Sequence, residues 1–169
     1  AFFATATATA SIIIMSKKQA GEIGWREYLA LPDLGIESIK AKVDTGALTS
    51  AIHATEIEVS TEDDQQWVDF TVMPTQFSDE IAVRCRAPLV GYRKVRNSGG
   101  VQDERAVIVT TVRMGDVRRE IELTLASRTN MRFRMLLGRS GIPQGYHVVP
   151  GQSYLLGGFR DASEFGEEE

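Results

Sequence analysis

A single cysteine, Cys85, and two histidines, His53 and His147, make up the whole thiol and imidazole chemistry of this 169-residue chain. One cysteine excludes an internal disulfide framework and leaves a reducing compartment open. The histidines stand far apart and no HExxH or CxxC occurs, so the spacing offers no zinc site. A GxxxxGK[ST] loop is also missing, which excludes nucleotide hydrolysis of that type. There is no large excess of one charge. The net charge is -4, with 25% charged and 43% hydrophobic residues, so nothing calls for a nucleic acid partner. No apolar run is long enough to cross a bilayer, and no membrane partner is expected.

The opening "AFFATATATASIII" is uncharged and lies upstream of Met15. It lacks the basic start of a secretory signal. It reads as a cloning remnant or an over-extended start, with a truncated signal as the alternative. The closing "EFGEEE" reads as a flexible acidic tail. The expected organisation is a disordered or cloning-derived segment over residues 1–21, a barrel domain over 22–158 and a tail over 159–169. The expected compartment is the cytoplasm, or the periplasm if the N-terminal segment is a signal remnant.

What the middle of the chain does hold is alternation. Val68, Phe70 and Val72 alternate with Trp67, Asp69 and Thr71. Ile81, Val83 and Cys85 do the same, as do Ile121, Leu123 and Leu125. A period of two marks strands with one buried face. Cys85, in phase with the apolar set, reads as a small buried hydrophobe. Gly115-Asp116 between two such runs is a hairpin signal, since both residues tolerate positive φ. Helical signals are confined to Thr49–Ala54 and Ser140–Gln144, the second limited by Pro143. Many short strands with turn signals predict an all-β fold, a closed or partly closed barrel.

The stretch "AKVDTGALTS" stands out within this pattern. Ile39, Ala41 and Val43 predict a strand entering the core, which leaves Asp44 at its mouth. Gly46 permits a sharp turn and close backbone approach. Thr45 offers a hydroxyl that can lock the loop, and Ala47 to Ala51 are small enough to pack behind it. Taken alone, the triplet reads as a helix N-cap or an Asx-turn, with Asp44 satisfying nearby amides.

"MLLGRSGI" lies well downstream, and together with "AKVDTGALTS" it resembles the retroviral-type aspartic proteases. In that family an Asp-Thr-Gly loop is followed by a flap hairpin and then a strand ending in two hydrophobic residues and a glycine. Leu136, Leu137 and Gly138 match that strand. Three stretches, "GWREYLALPDLGIESIKAKVDTGALTSAIHA", "VRNSGGVQDERAVI" and "MRFRMLLGR", narrow the likeness. They look like a bacterial retropepsin-like family labelled ATP-dependent zinc proteases and found near RimK-type, ATP-grasp glutamate ligases. The match runs from about Gly24 to Val149. Because neither an ATP loop nor a zinc constellation is legible, no cofactor and no metal are expected.

The resemblance implies a retropepsin-like barrel, an expected homodimer, and aspartic endopeptidase activity on a peptide or protein. Asp44, Thr45 and Gly46 would form the catalytic loop, one Asp44 from each subunit. Asn97, Ser98, Gly99 and Gly100 would form the flap tip. Ala47, Thr49, His53, Leu136, Leu137, Gly138 and Arg139 would support the site, His53 as a buttress of the loop. Arg93, Lys94, Arg96 and Arg105 stand near the flap and could favour acidic substrate residues. Two departures stand out. The bacterial family often has a basic residue where Leu48 stands, and the acidic partner that retroviral enzymes give Arg139 is missing. The alternative function is a non-catalytic module of the same fold that regulates a glutamate ligase or another partner.

Overall fold

The computed structural model describes residues 21–96, 99–127 and 132–157. Among these, every regular element is a strand except two single turns of 3-10 helix, Pro32–Leu34 and Arg139–Gly141. The central sheet contains β2 (Arg26–Leu31), β3 (Ile36–Asp44), β4 (Ser50–His53), β8 (Gly91–Arg96), β9 (Gln102–Met114), β10 (Val117–Ala126) and β11 (Met135–Gly138). Six of them close a ring in the order β10-β4-β11-β3-β2-β9, because β9 also pairs with β10. Closure removes the free edges of the ring. β8 pairs with β9 outside it. A second sheet holds β5 (Thr55–Glu62), β6 (Gln65–Val72) and β7 (Val83–Pro88). A parallel pair, β1 (Glu22–Gly24) with β12 (His147–Val149), joins the two ends of the described chain.

The sequence pattern explains most of this. Ile39, Ala41 and Val43 face the core from β3, Val68, Phe70 and Val72 from β6, and Ile121, Leu123 and Leu125 from β10. Each large apolar side chain so buried contributes roughly 1.5–3 kcal/mol relative to exposure. Cys85 is buried among them, and burial pushes its thiol up to about 11. Gly115 takes φ 57 and joins β9 to β10, with Met114 paired to Val117. Asp116 does not share the positive φ.

Three expectations are corrected. Thr49–Ala54 does not coil into a helical turn, since Ser50–His53 is a strand. It is slotted between β10 and β11, and all four residues are buried, so sheet pairing overrides any local helical preference. Ile81 falls outside its strand: β7 begins at Val83 and Ile81 is exposed. The Ser140–Gln144 turn is reduced to the single 3-10 turn at Arg139–Gly141. One hairpin turn went unread. Asp63 and Asp64 join β5 to β6 with φ 50 and 64, the left-handed pair that a two-residue turn requires.

A buried carboxylate fixes the closing end of the fold. Glu27 on β2 is fully buried and accepts hydrogen bonds from the amides of Gly24 (2.7 Å), Leu155 (2.9 Å) and Leu156 (3.2 Å). Three donors compensate its desolvation. The same corner reaches the site, because the Trp25 carbonyl accepts from the Val43 amide at 2.9 Å, one residue before Asp44.

Candidate active site

Asp44 is the last residue of β3, directly opposite Gly138 at the end of the parallel β3–β11 pair. Two parallel strands therefore deliver their C-terminal ends to one place. Gly138 cannot be larger: a Cβ there would lie 2.6 Å from the Thr49 carbonyl carbon and 2.8 Å from the Leu48 oxygen. The glycine lets the two backbones meet. Leu137, fully buried, and Leu136, half-buried, anchor the strand that carries it.

Local chemistry shapes the turn. The Gly46 amide donates to Asp44 Oδ1 at 3.0 Å, and the Ala47 amide to the Asp44 carbonyl at 3.3 Å. This is an Asx-type turn, the plain reading of the triplet, and it also holds the carboxylate in one orientation. Among the described residues Oδ2 has no hydrogen-bond partner. Asp44 is half-buried, whereas Thr45 and Gly46 are exposed.

The segment after Gly138 braces the turn from the side. The Arg139 amide donates to the Ala47 carbonyl (2.9 Å) and the Ser140 amide to the Leu48 carbonyl (3.1 Å). Ser140 Oγ adds a bond to the Leu48 carbonyl at 2.6 Å, and the Gly138 amide donates to buried Ser50 Oγ at 3.0 Å. Among the described residues Arg139 forms no ion pair with an acid. Its Nη1 instead donates to the Thr45 carbonyl at 3.3 Å. The arginine whose acidic partner is missing from the sequence thus contacts a carbonyl of the same chain. Ser50 and Ser140 escaped the sequence reading. Their only signal was a small hydroxyl beside each motif.

A cavity of about 750 Å³ adjoins the turn. Its floor includes Leu48, Thr49 and Leu136, its wall Glu120, Glu122 and Thr124 of β10, and its roof Arg93, Val95, Arg96 and Arg105 of the β8–β9 hairpin. Arg93 donates to Thr49 Oγ1 and to Glu122 Oε2, both at 2.7 Å. Arg105 lies directly across the ladder from Arg93 and is almost fully buried, paired with Asp103 at 3.4 Å. Lys94 and Arg96 are exposed. Gly99 and Gly100 are exposed at the hairpin tip, with Gly100 at φ 79, while Asn97 and Ser98 lie outside the described residues.

His53 sits elsewhere. It ends β4, three residues beyond Ser50, so roughly 10 Å of strand separates it from the turn-proximal end. Its amide donates to the Arg134 carbonyl at 2.8 Å. Burial holds its imidazole below the usual value of 6.5, the Arg134 charge adds to this, and a backbone contact with Ala126 and the Asp79 charge oppose it. Asp79 pairs with Arg134 at 2.6 Å. His147 is exposed on β12. Among the described residues no three His, Cys, Asp or Glu side chains cluster as metal ligands.

The chain is similar to known proteins in sequence and in fold. The family described as retropepsin-like aspartic endopeptidase RimB matches residues 22–157. Three relatives are named probable alpha-L-glutamate ligase. Those of Shewanella pealeana and Desulfotalea psychrophila are each 41% identical over 80% of this chain, and that of Parasynechococcus marenigrum is 39% identical over 82%. The chain spans only 30%, 29% and 30% of their respective lengths. The crystal structure of Lpg0085 from Legionella pneumophila, a protein of unknown function, superposes with a TM-score of 0.69 at 25% identity, covering 80% of this chain and 98% of that one. With the Asp-Thr-Gly turn seated against a Gly138 strand in a closed barrel, and the family match running across nearly the whole described chain, the protein belongs to the RimB-like family of retropepsin-like aspartic endopeptidases.

Proposed function

We propose that this chain is an aspartic endopeptidase that works as a homodimer, with one Asp44 from each subunit. The supporting observation is the Asp44 turn itself: a carboxylate fixed through Oδ1 at the end of two parallel strands, with Oδ2 unengaged by the described residues. One such group is half of the chemistry. A second copy related by a two-fold axis supplies the other half. Two carboxylates about 3 Å apart share a single proton. The ionised one takes a proton from water as its oxygen attacks the peptide carbonyl. The protonated one gives its proton to the carbonyl oxygen. The resulting gem-diol collapses as the amine leaves with a proton returned through the same pair. Thr45, being exposed, is free of packing that would prevent a bond across the axis, and in this reading the β8–β9 hairpin is the flap that excludes water.

The cavity supports a substrate class. Three arginines, Arg93, Arg96 and Arg105, line the cavity against two glutamates, Glu120 and Glu122; with Arg93 engaged by Glu122 and Arg105 by Asp103, the exposed Arg96 is the cation offered to an acidic side chain, and the relatives' names concern glutamate. A glutamate-bearing peptide fits both. Asp44→Asn tests the reading: the assembly should persist while cleavage of such a peptide falls roughly 10³-fold or more. Cleavage that survives in Asp44→Asn removes the proposal. A second reading, a non-catalytic module acting on a glutamate ligase, is favoured by one observation, the likeness to about a third of proteins with that name. It predicts that Asp44→Asn leaves every effect on the ligase unchanged.

A further inference from the structure

Arg93 bridges three elements. It stands on β8, its Nη1 donates to Thr49 at the end of the Asp44 turn, and its Nη2 donates to Glu122 on β10. Both bonds are short and carry charge, and a planar guanidinium makes them at once without bending. The backbone does not duplicate the link. Among the described residues β8 pairs with β9 alone, and β9 meets neither strand flanking the turn directly: it reaches β4 through β10 and β3 through β2. Arg105, on the same face directly opposite, repels Arg93 rather than holding it. The orientation of Arg93 is therefore set by Thr49 and Glu122.

We propose that Arg93 is a positioning residue that latches the hairpin stem to the Asp44 turn through Thr49, with Glu122 holding its other arm. Order in the hairpin and order in the turn then become one linked equilibrium. The catalytic consequence rests on the aspartic endopeptidase reading: a hairpin in place over the cavity goes with a turn in place beneath it. The linkage itself does not need that reading.

Amide hydrogen exchange on the full chain tests it. Thr49→Val keeps every charge yet removes the acceptor. It should speed exchange across residues 91–96 and 102–107 roughly fivefold, although the change lies outside the hairpin. Arg93→Lys keeps the charge but not the fork, and it should speed exchange in the turn at residues 47–50 by a similar factor. The double variant should match either single one, since both cut the same connection. Thr49→Ser, which restores the hydroxyl, should behave as wild type, and β6 should be unchanged throughout. Unchanged hairpin exchange in Thr49→Val, additive effects in the double variant, or failure of Thr49→Ser to restore the wild-type rates would each overturn the latch.

A kinetic readout separates positioning from simple charge attraction. With a quenched fluorescent peptide of consecutive glutamates, the latch places the loss in kcat for both Thr49→Val and Arg93→Lys. A loss confined to KM, with Thr49→Val spared, overturns it. If no variant, wild type included, turns over the peptide while the exchange linkage holds, the latch is supported and the hydrolytic reading fails.

Discussion

Around the Asp44 turn, backbone meets backbone. Gly138 lies against Thr49, and amides of residues 138–140 bond to Ser50 Oγ and to the carbonyls of Ala47 and Leu48. In the β8–β9 hairpin above it, β9 belongs to the barrel, whereas β8 pairs only with β9 among the described residues and reaches the turn through the Arg93 guanidinium; Gly99 and Gly100 near its tip are exposed. The floor is therefore set by shape and tolerates almost no added atoms. Beyond its own ladder with β9, β8 is tied to the turn by the half-exposed Arg93 side chain, a contact that exchanges with water more readily than packed backbone. Under the proposed function, a cleft that holds a carboxylate still while admitting a chain needs both kinds of construction.

Substitutions that break each side should differ in size. Gly138→Ala forces a Cβ into the Thr49 backbone and should cost about 3 kcal/mol or prevent folding, read by denaturant titration. Ser50→Ala leaves the buried Gly138 amide without its acceptor, and a loss of about 2 kcal/mol is expected in the same titration. Gly100→Ala, at φ 79 with open space around it, should cost no more than about 1 kcal/mol because strain is partly offset by a less flexible unfolded chain. If Gly100→Ala proved as damaging as Gly138→Ala, the contrast between floor and hairpin would be lost.

The smallest effect is expected at His53, on the floor sheet but away from the turn. Its folded-state value is held below 6.5, so the unfolded chain takes up the proton first as pH falls. The stability it contributes is present above pH 6.5 and is lost as pH falls from there toward the lowered folded value. Thermal unfolding across that range should show a slope in wild type that His53→Gln flattens. The pH profile of any peptide cleavage should keep its shape in that variant, because His53 lies away from the turn.

The sequence carried local periods and turns well and long-range contacts poorly. Ile39, Ala41 and Val43 announced β3 by period, and Gly46 and Gly138 announced close approach by having no side chain. Those signals are local, or repeat along the chain. β4 was misread because its four residues are buried on both faces, which erases alternation, and small residues such as Ser50 and Ala51 suit a turn equally well. The Glu27 clasp and the Arg93 bridge were invisible for a different reason. Each joins residues distant in sequence, Glu27 to Leu155 and Arg93 to Glu122, through a barrel closure that only three-dimensional register supplies. Arg139 shows the intermediate case: its motif position was legible, and its bond to the Thr45 carbonyl was not.

The central claim concerns a second copy of the chain. A crystal structure of the assembled protein measures it directly, through the separation of the two Asp44 carboxylates. The account predicts a two-fold dimer with their nearest oxygens about 3 Å apart and the β8–β9 hairpins arching over them. A monomer, or assemblies in which those oxygens stand too far apart to share a proton or a single water, would contradict it.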